Sequence, residues 1–220
     1  MTERRPATDL YLIRHGESHA NIDGVISAMA TDRGLTERGL AQVRALAARL
    51  ETGEIPADAL YASTLPRARM TAEIVAAALD LPVEWNDDLH ELRPGEAEGL
   101  HVGEVRERFP QVARFIGEPF TPLAPGGESW GGFQARVSAT LEEIVRRHAG
   151  QRIVVVAHGG VIEVACLYFL GLGPDARARL GFPAHNTAIT HWRHSESFTG
   201  RREWQFIAHN DHRHLVGLGV

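Results

Sequence analysis

Two histidines stand in nearly the same local setting. His15 follows an apolar run at 10–13 and Arg14, and precedes Gly16; His158 follows the apolar run 153–157 and precedes Gly159 and Gly160. Imidazole suits nucleophilic attack, proton transfer and anion binding near neutral pH. A glycine directly after it lets the backbone approach a ligand closely. Taken alone, either histidine is as well explained as a polar residue closing a strand. Two at equivalent strand ends, one directly after arginine, point to a shared site. Arg67 follows a third apolar run, 59–62, at the start of a helix. Alone it reads as a solvated helix charge; in this company it is a guanidinium placed for an oxyanion such as phosphate. Glu91 offers a carboxyl group to protonate a leaving oxygen, and Glu96 and Glu98 compete for that role on composition alone.

These groups meet only if the elements that carry them converge. Residues 10–13, 59–62 and 82–85 read as short strands, and 153–157 as a strand buried on both faces, since five apolar residues follow one another. A helix is predicted from Thr36 as N-cap to about Gly53, with Leu40, Val43, Leu46 and Leu50 at helical spacing. Ser63-Thr64-Leu65-Pro66 is a helix start, and that helix runs to about Leu79. A long helix is expected over 130–149, another after Gly160, and late strands over 187–192 and 204–208. Residues 1–8 read as a polar start and 17–34 as a polar loop. Residues 90–127 are rich in Gly, Pro, Glu and Arg, with short helical pieces at 102–109 and 111–116, and read as a lid-like insertion (about 92–127) over a site. The alternation implies a single α/β domain over 1–220, a three-layer sandwich with a mostly parallel central sheet. Ligands of such sheets bind beyond the carboxyl ends of the strands, where His15 and His158 fall if their strands are neighbours. The helix after Gly160 would aim its N–H groups at the same place.

Composition narrows the partners. All 23 basic residues are arginine, and the net charge of −5 gives no general affinity for nucleic acid or an acidic membrane. The lone Cys166 lies in an apolar run and reads as a buried thiol. Residues 1–10 lack the apolar core of a signal peptide, and Glu163 interrupts the best apolar run, so a cytoplasmic protein is the expectation. His209, His212 and His214 lie close enough in sequence for a metal check; an ordered, metal-free C-terminal segment is the reading preferred. Trp130, Trp192 and Trp204 read as core.

Arg14-His15-Gly16-Glu17 after a strand resembles the signature of the histidine phosphatase superfamily, the phosphoglycerate mutase-like proteins. Five further blocks fall in that family's order: Leu35-Thr36-Glu37-Arg38-Gly39; Ser63 through Arg67-Ala68 and Thr71-Ala72; Leu89, Glu91, Gly95 and Glu98-Gly99; Pro125-Gly126-Gly127-Glu128-Ser129; and Val156-Ala157-His158-Gly159. The likeness spans about residues 9–215 and implies the phosphoglycerate mutase-like fold. It departs at Gly34, where proline is common, and at Ala97, where tryptophan is common. By resemblance His15 is the nucleophile; Arg14, Asn21, Arg67, His158 and Gly159 hold the phosphate; Glu91 is general acid and then base. No metal or other cofactor is implied, and a homodimer is common among similar proteins. The expected activity is hydrolysis of a small phosphomonoester through a phosphohistidine. The alternatives are a cofactor-dependent phosphoglycerate mutase, disfavoured by the modest stretch between Glu91 and His158, and a non-catalytic phosphate-binding protein. Arg93, His101, Arg106, Arg108 and Arg114 are available in the insertion to read a second anionic group.

Overall fold

A computed structural model describes residues 6–115 and 117–218. The chain opens on β1 (Thr8–Arg14), then the one-turn helix α1 (His19–Asp23) and α2 (Glu37–Glu51). β2 (Ala59–Ala62), α3 (Pro66–Leu79) and β3 (Val83–Trp85) follow. After α4 (Val102–Arg108) come α5 (Trp130–Arg147), β4 (Arg152–Ala157), α6 (Gly159–Phe169), β5 (Ile189–Glu196) and β6 (Arg202–Asp211). The strands form one sheet in the order β3-β2-β4-β1-β5-β6. The first four are parallel; β5 and β6 add antiparallel.

Local chemistry explains the boundaries. Thr36 Oγ1 accepts from Gly39 N–H at 2.9 Å and caps α2. Pro66 opens α3, where its missing N–H costs nothing. Gly34 takes φ +75°, a left-handed conformation closed to proline, which accounts for the departure at that position. The expected loop at 17–34 contains α1, too short to leave a periodic signal. The expected helical piece at 111–116 is a 3₁₀ turn over Pro110–Ala113; its last predicted residue, 116, lies outside the described residues, as do 1–5 of the predicted polar start.

The period of two along the buried strands divides the core. Leu10, Leu12, Ile153 and Val155 pack on the face that carries Phe133, Leu141 and Ile162 of α5 and α6. Tyr11, Ile13, Val154 and Val156 pack on the other, with Leu46, Leu50 and Val75 of α2 and α3. The result is three layers, as expected. Trp130 and Trp192 are buried, Trp204 packs against the same core, and burial pushes the Cys166 thiol up to about 12. Among the described residues no helix is long and apolar enough to cross a membrane.

Candidate active site

β1 and β4 lie side by side in register, Arg14 opposite Ala157. The next residue on each strand is a histidine, so His15 and His158 emerge together with ring centroids 5.2 Å apart. β2 borders β4 on its other side and delivers Ser63 to the same edge. α3 then starts and turns Arg67 back over the strand ends.

His15 is buried, and its Nδ1 lies 2.6 Å from the Gly16 carbonyl oxygen. A carbonyl only accepts, so Nδ1 carries the proton and Nε2 keeps its lone pair. Arg67 Nε donates to that nitrogen at 3.1 Å. Burial, then the Arg67 and Arg14 guanidinium groups, hold the His15 pKa well below the usual histidine value, so the ring is neutral. Arg67 is fixed from behind by Asp32, whose Oδ2 accepts from Nη1 at 2.6 Å.

Arg14 donates through Nη1 to the Ala184 carbonyl at 2.6 Å, while its Nε is buried with no acceptor. Glu91 sits at the start of α6: Oε2 accepts from Gly160 N–H and Oε1 from Leu92 N–H, each at 2.9 Å. Glycine at 160 leaves room for this placement, because a Cβ would fall on Glu91 Oε1 and against the Phe133 ring and would displace the carboxyl group. His158 is fully buried; its Nε2 pairs with Ser63 Oγ at 2.8 Å, and its Nδ1 has no partner. Burial, then Arg67, keep it neutral as well. Asn21 Oδ1 accepts from Ser18 N–H at 3.1 Å and from Asn186 Nδ2 at 3.2 Å, which leaves its own amide N–H groups for a ligand.

A cavity of about 270 Å³ opens over these groups, lined by Arg14, His15, Asn21, Arg67, Glu91 and Gly159, with Val25, Ile26, Leu92 and Leu123 forming an apolar wall. His158 lies behind it, beside His15, and forms no part of the lining. A larger hollow of about 630 Å³ lies by Thr8, Phe169 and Trp204, at the other ends of the strands, where none of these groups reaches. The chemistry therefore belongs to the smaller one. Its donors and neutral imidazole suit a phosphoryl group; a metal ion would meet guanidinium charge there. The C-terminal histidines are engaged elsewhere: His209 with Thr190 and Pro183, His212 with the Asn210 carbonyl, His214 with Thr187 and Arg49. Among the described residues no three His, Cys, Asp or Glu side chains surround a common point.

The insertion meets the cavity differently from the expectation. It contributes Leu92 and Leu123, and its core side is anchored by Ala97, Val105 and Phe109. Arg93, His101, Arg106, Arg108 and Arg114 form none of the lining. Arg93 pairs with Asp88, Arg114 with Glu118, His101 caps α4, and Arg108 lies over Phe109. Solvated carboxylates, a helix end and an aromatic face satisfy those four where they are. Sequence patterns assign no part in the site to Ser63, Asp32 or the turn at 184–187. Ser63 had a signal, its place at a strand end equivalent to those of the histidines. Ala184 works through a carbonyl that any residue possesses.

Residues 10–211 match the histidine phosphatase superfamily (branch 1). The chain is 37% identical over 163 residues to a metal-independent phosphoserine phosphatase of Arabidopsis thaliana, covering 73% of this chain and 68% of the relative. It is 30% identical over 207 residues to a probable phosphoglycerate mutase GpmB of Escherichia coli, covering 94% of each. Its fold superposes on a mutant phosphoserine phosphatase of Entamoeba histolytica in complex with phosphoserine, with a TM-score of 0.79, 27% identity, and 94% and 99% of the two chains covered.

Proposed function

Since the chain belongs to the histidine phosphatase superfamily, we propose that it hydrolyses a small phosphomonoester with His15 as the nucleophile and without a metal ion. The observation that carries this is the 2.6 Å contact of His15 Nδ1 with the Gly16 carbonyl, which assigns the proton to Nδ1 and leaves the Nε2 lone pair toward the cavity beside Arg67. A substrate phosphate displaces the Arg67 contact from Nε2 and takes the guanidinium donors itself. Arg14 Nε, Arg67 Nε and the Asn21 amide hold the equatorial oxygens as charge spreads over them, and His158 backs His15 from behind the cavity.

Nε2 attacks phosphorus in line with the leaving oxygen, and the P–N bond forms as the P–O bond breaks. Glu91, protonated for this step, passes its proton to the leaving oxygen. The alcohol departs, and the Gly16 carbonyl stabilises the imidazolium ring through Nδ1–H. Glu91, now a carboxylate, takes a proton from water; the water oxygen attacks phosphorus, the P–N bond breaks and phosphate leaves. His15 returns neutral, in its starting tautomer. A positioned acid of this kind contributes about 10²–10⁴-fold.

The relatives called phosphoserine phosphatases support hydrolysis. The relative called a probable mutase keeps isomerisation as the second reading. Incubation with 3-phosphoglycerate and a trace of 2,3-bisphosphoglycerate separates them, since isomerisation with little free phosphate would reverse the assignment. The primary test is phosphate release from p-nitrophenyl phosphate and phosphoserine with EDTA present. We expect turnover, and a loss of about 10³-fold or more in His15→Ala. Undiminished turnover by that variant removes the mechanism.

A further inference from the structure

Ile26 and Leu123 wall the phosphate cavity and also line a second hollow, of about 500 Å³. The two spaces therefore abut at this pair. The second hollow is largely aliphatic and aromatic, with Val102, Val105, Val112 and Phe115 in its walls. One half-buried cation, Arg177, enters it from the 3₁₀ turn Pro174–Ala178. Its guanidinium carbon lies 3.8 Å from the centre of the Trp130 ring, which fixes its plane. Its Nε and Nη1 are shielded from solvent; Nη1 has no hydrogen-bond acceptor, and Nε faces the Glu163 carboxylate. Glu163 balances its charge from 3.6 Å, beyond good hydrogen-bond length. Both nitrogens are closed to a ligand as they are to water, which leaves Nη2 as the donor that a ligand anion can meet.

The geometry points to a leaving-group subsite: the second hollow takes the alcohol half of the substrate, and Arg177 receives a carboxylate at its far end. The inference rests on the phosphatase reading, because it assigns the remainder of the molecule whose phosphate lies against His15. The substrate class is then a phosphomonoester of an extended alcohol, apolar along its body and anionic at its tip. The exposed Arg106 stands at the same hollow and adds positive charge at its edge. Phosphoserine fits this description poorly. It carries its ammonium and carboxylate groups a few bonds from the ester oxygen, against Ile26, Leu92 and Leu123, and leaves the second hollow empty.

The test compares phosphate release from four esters by the full chain: phenyl phosphate, biphenyl-4-yl phosphate, 4′-carboxybiphenyl-4-yl phosphate and phosphoserine. Two variants accompany the wild type. Arg177→Met keeps an apolar stem over Trp130 and removes the cation; Val112→Trp fills the hollow. The carboxybiphenyl ester should exceed phosphoserine in kcat/KM by about tenfold or more. Arg177→Met should lower the carboxybiphenyl ester about tenfold and leave the biphenyl and phenyl esters unchanged. Val112→Trp should lower both biphenyl esters and spare phenyl phosphate. Equal losses on all esters, no loss on any, or a wild-type preference for phosphoserine overturns the subsite. Phenyl phosphate turnover that depends on His15 reports the phosphatase reading separately, so failure of one is not mistaken for failure of the other.

Discussion

Gly16 and Gly160 act on the chemistry through their backbones. The first presents a carbonyl that fixes the tautomer of His15; the second presents an N–H that holds Glu91 at 2.9 Å. Gly160→Ala tests the second directly, since the added methyl would occupy the place of Glu91 Oε1 and press on Phe133. The carboxyl group would be pushed off the leaving oxygen while His15 and both arginines stay. We expect kcat for an alkyl phosphate to fall about 10²-fold or more, because a poor leaving group depends on its proton. p-Nitrophenyl phosphate, whose leaving oxygen needs little protonation, should lose much less. Equal losses on the two esters, with circular dichroism unchanged, would show that Glu91 does not serve as the acid.

Among the elements, β1 and β4 were legible because burial on both faces left uninterrupted apolar runs, and α2 because Thr36 and Gly39 supply a cap. The convergence of His15, His158 and Arg67 was legible too, from three strand ends on one edge. Arg93 and Arg114 misled for a physical reason: an arginine that meets a carboxylate in solvent and one that meets substrate are the same letter, and only their surroundings tell them apart. The turn before β5 left no trace, yet it braces the nucleophile. Thr187 is fully buried at φ +60°, a costly conformation for a β-branched residue, and its N–H donates to the Arg14 carbonyl at 3.0 Å. Its Oγ1 donates to the Asn186 carbonyl and pairs with His214 Nε2 at 2.9 Å, while Asn186 Nδ2 donates to the His15 carbonyl. His214→Ala should therefore loosen the strand end, raising KM about tenfold with a smaller change in kcat. His214→Gln, which can still donate to Thr187, should restore most of the loss. If glutamine and alanine behave alike, the C-terminal segment merely fills space.

For the whole molecule, histidine burial sets how stability responds to acid. Every histidine whose pKa the fold displaces is displaced downward: His15 and His158 well below the usual value, His214 to about 4, and His90, His191, His194 and His209 by burial first. Between those lowered values and the ordinary one near 6.5, the unfolded chain binds protons that the folded chain refuses. Stability therefore rises with pH through that window and is lost as pH falls below about 6.5. Each fully refused proton contributes a slope of about 1.4 kcal/mol per pH unit. Asp58, held down to about 2 by Arg152, adds a second loss only below the ordinary carboxylate range. Glu163 works in the other direction, because burial raises its pKa and protonation there favours the folded state. One carboxyl group opposing several histidines leaves the sign unchanged. The midpoint of thermal unfolding should hold steady from pH 8 to 7 and fall by several degrees by pH 5.5, reversibly, well before the carboxylates titrate. His214→Gln should shallow that fall by removing one refusing group. A midpoint that stays level down to pH 5 would mean that the two central imidazoles take up protons in the folded protein, and a neutral nucleophile could then no longer be argued from burial.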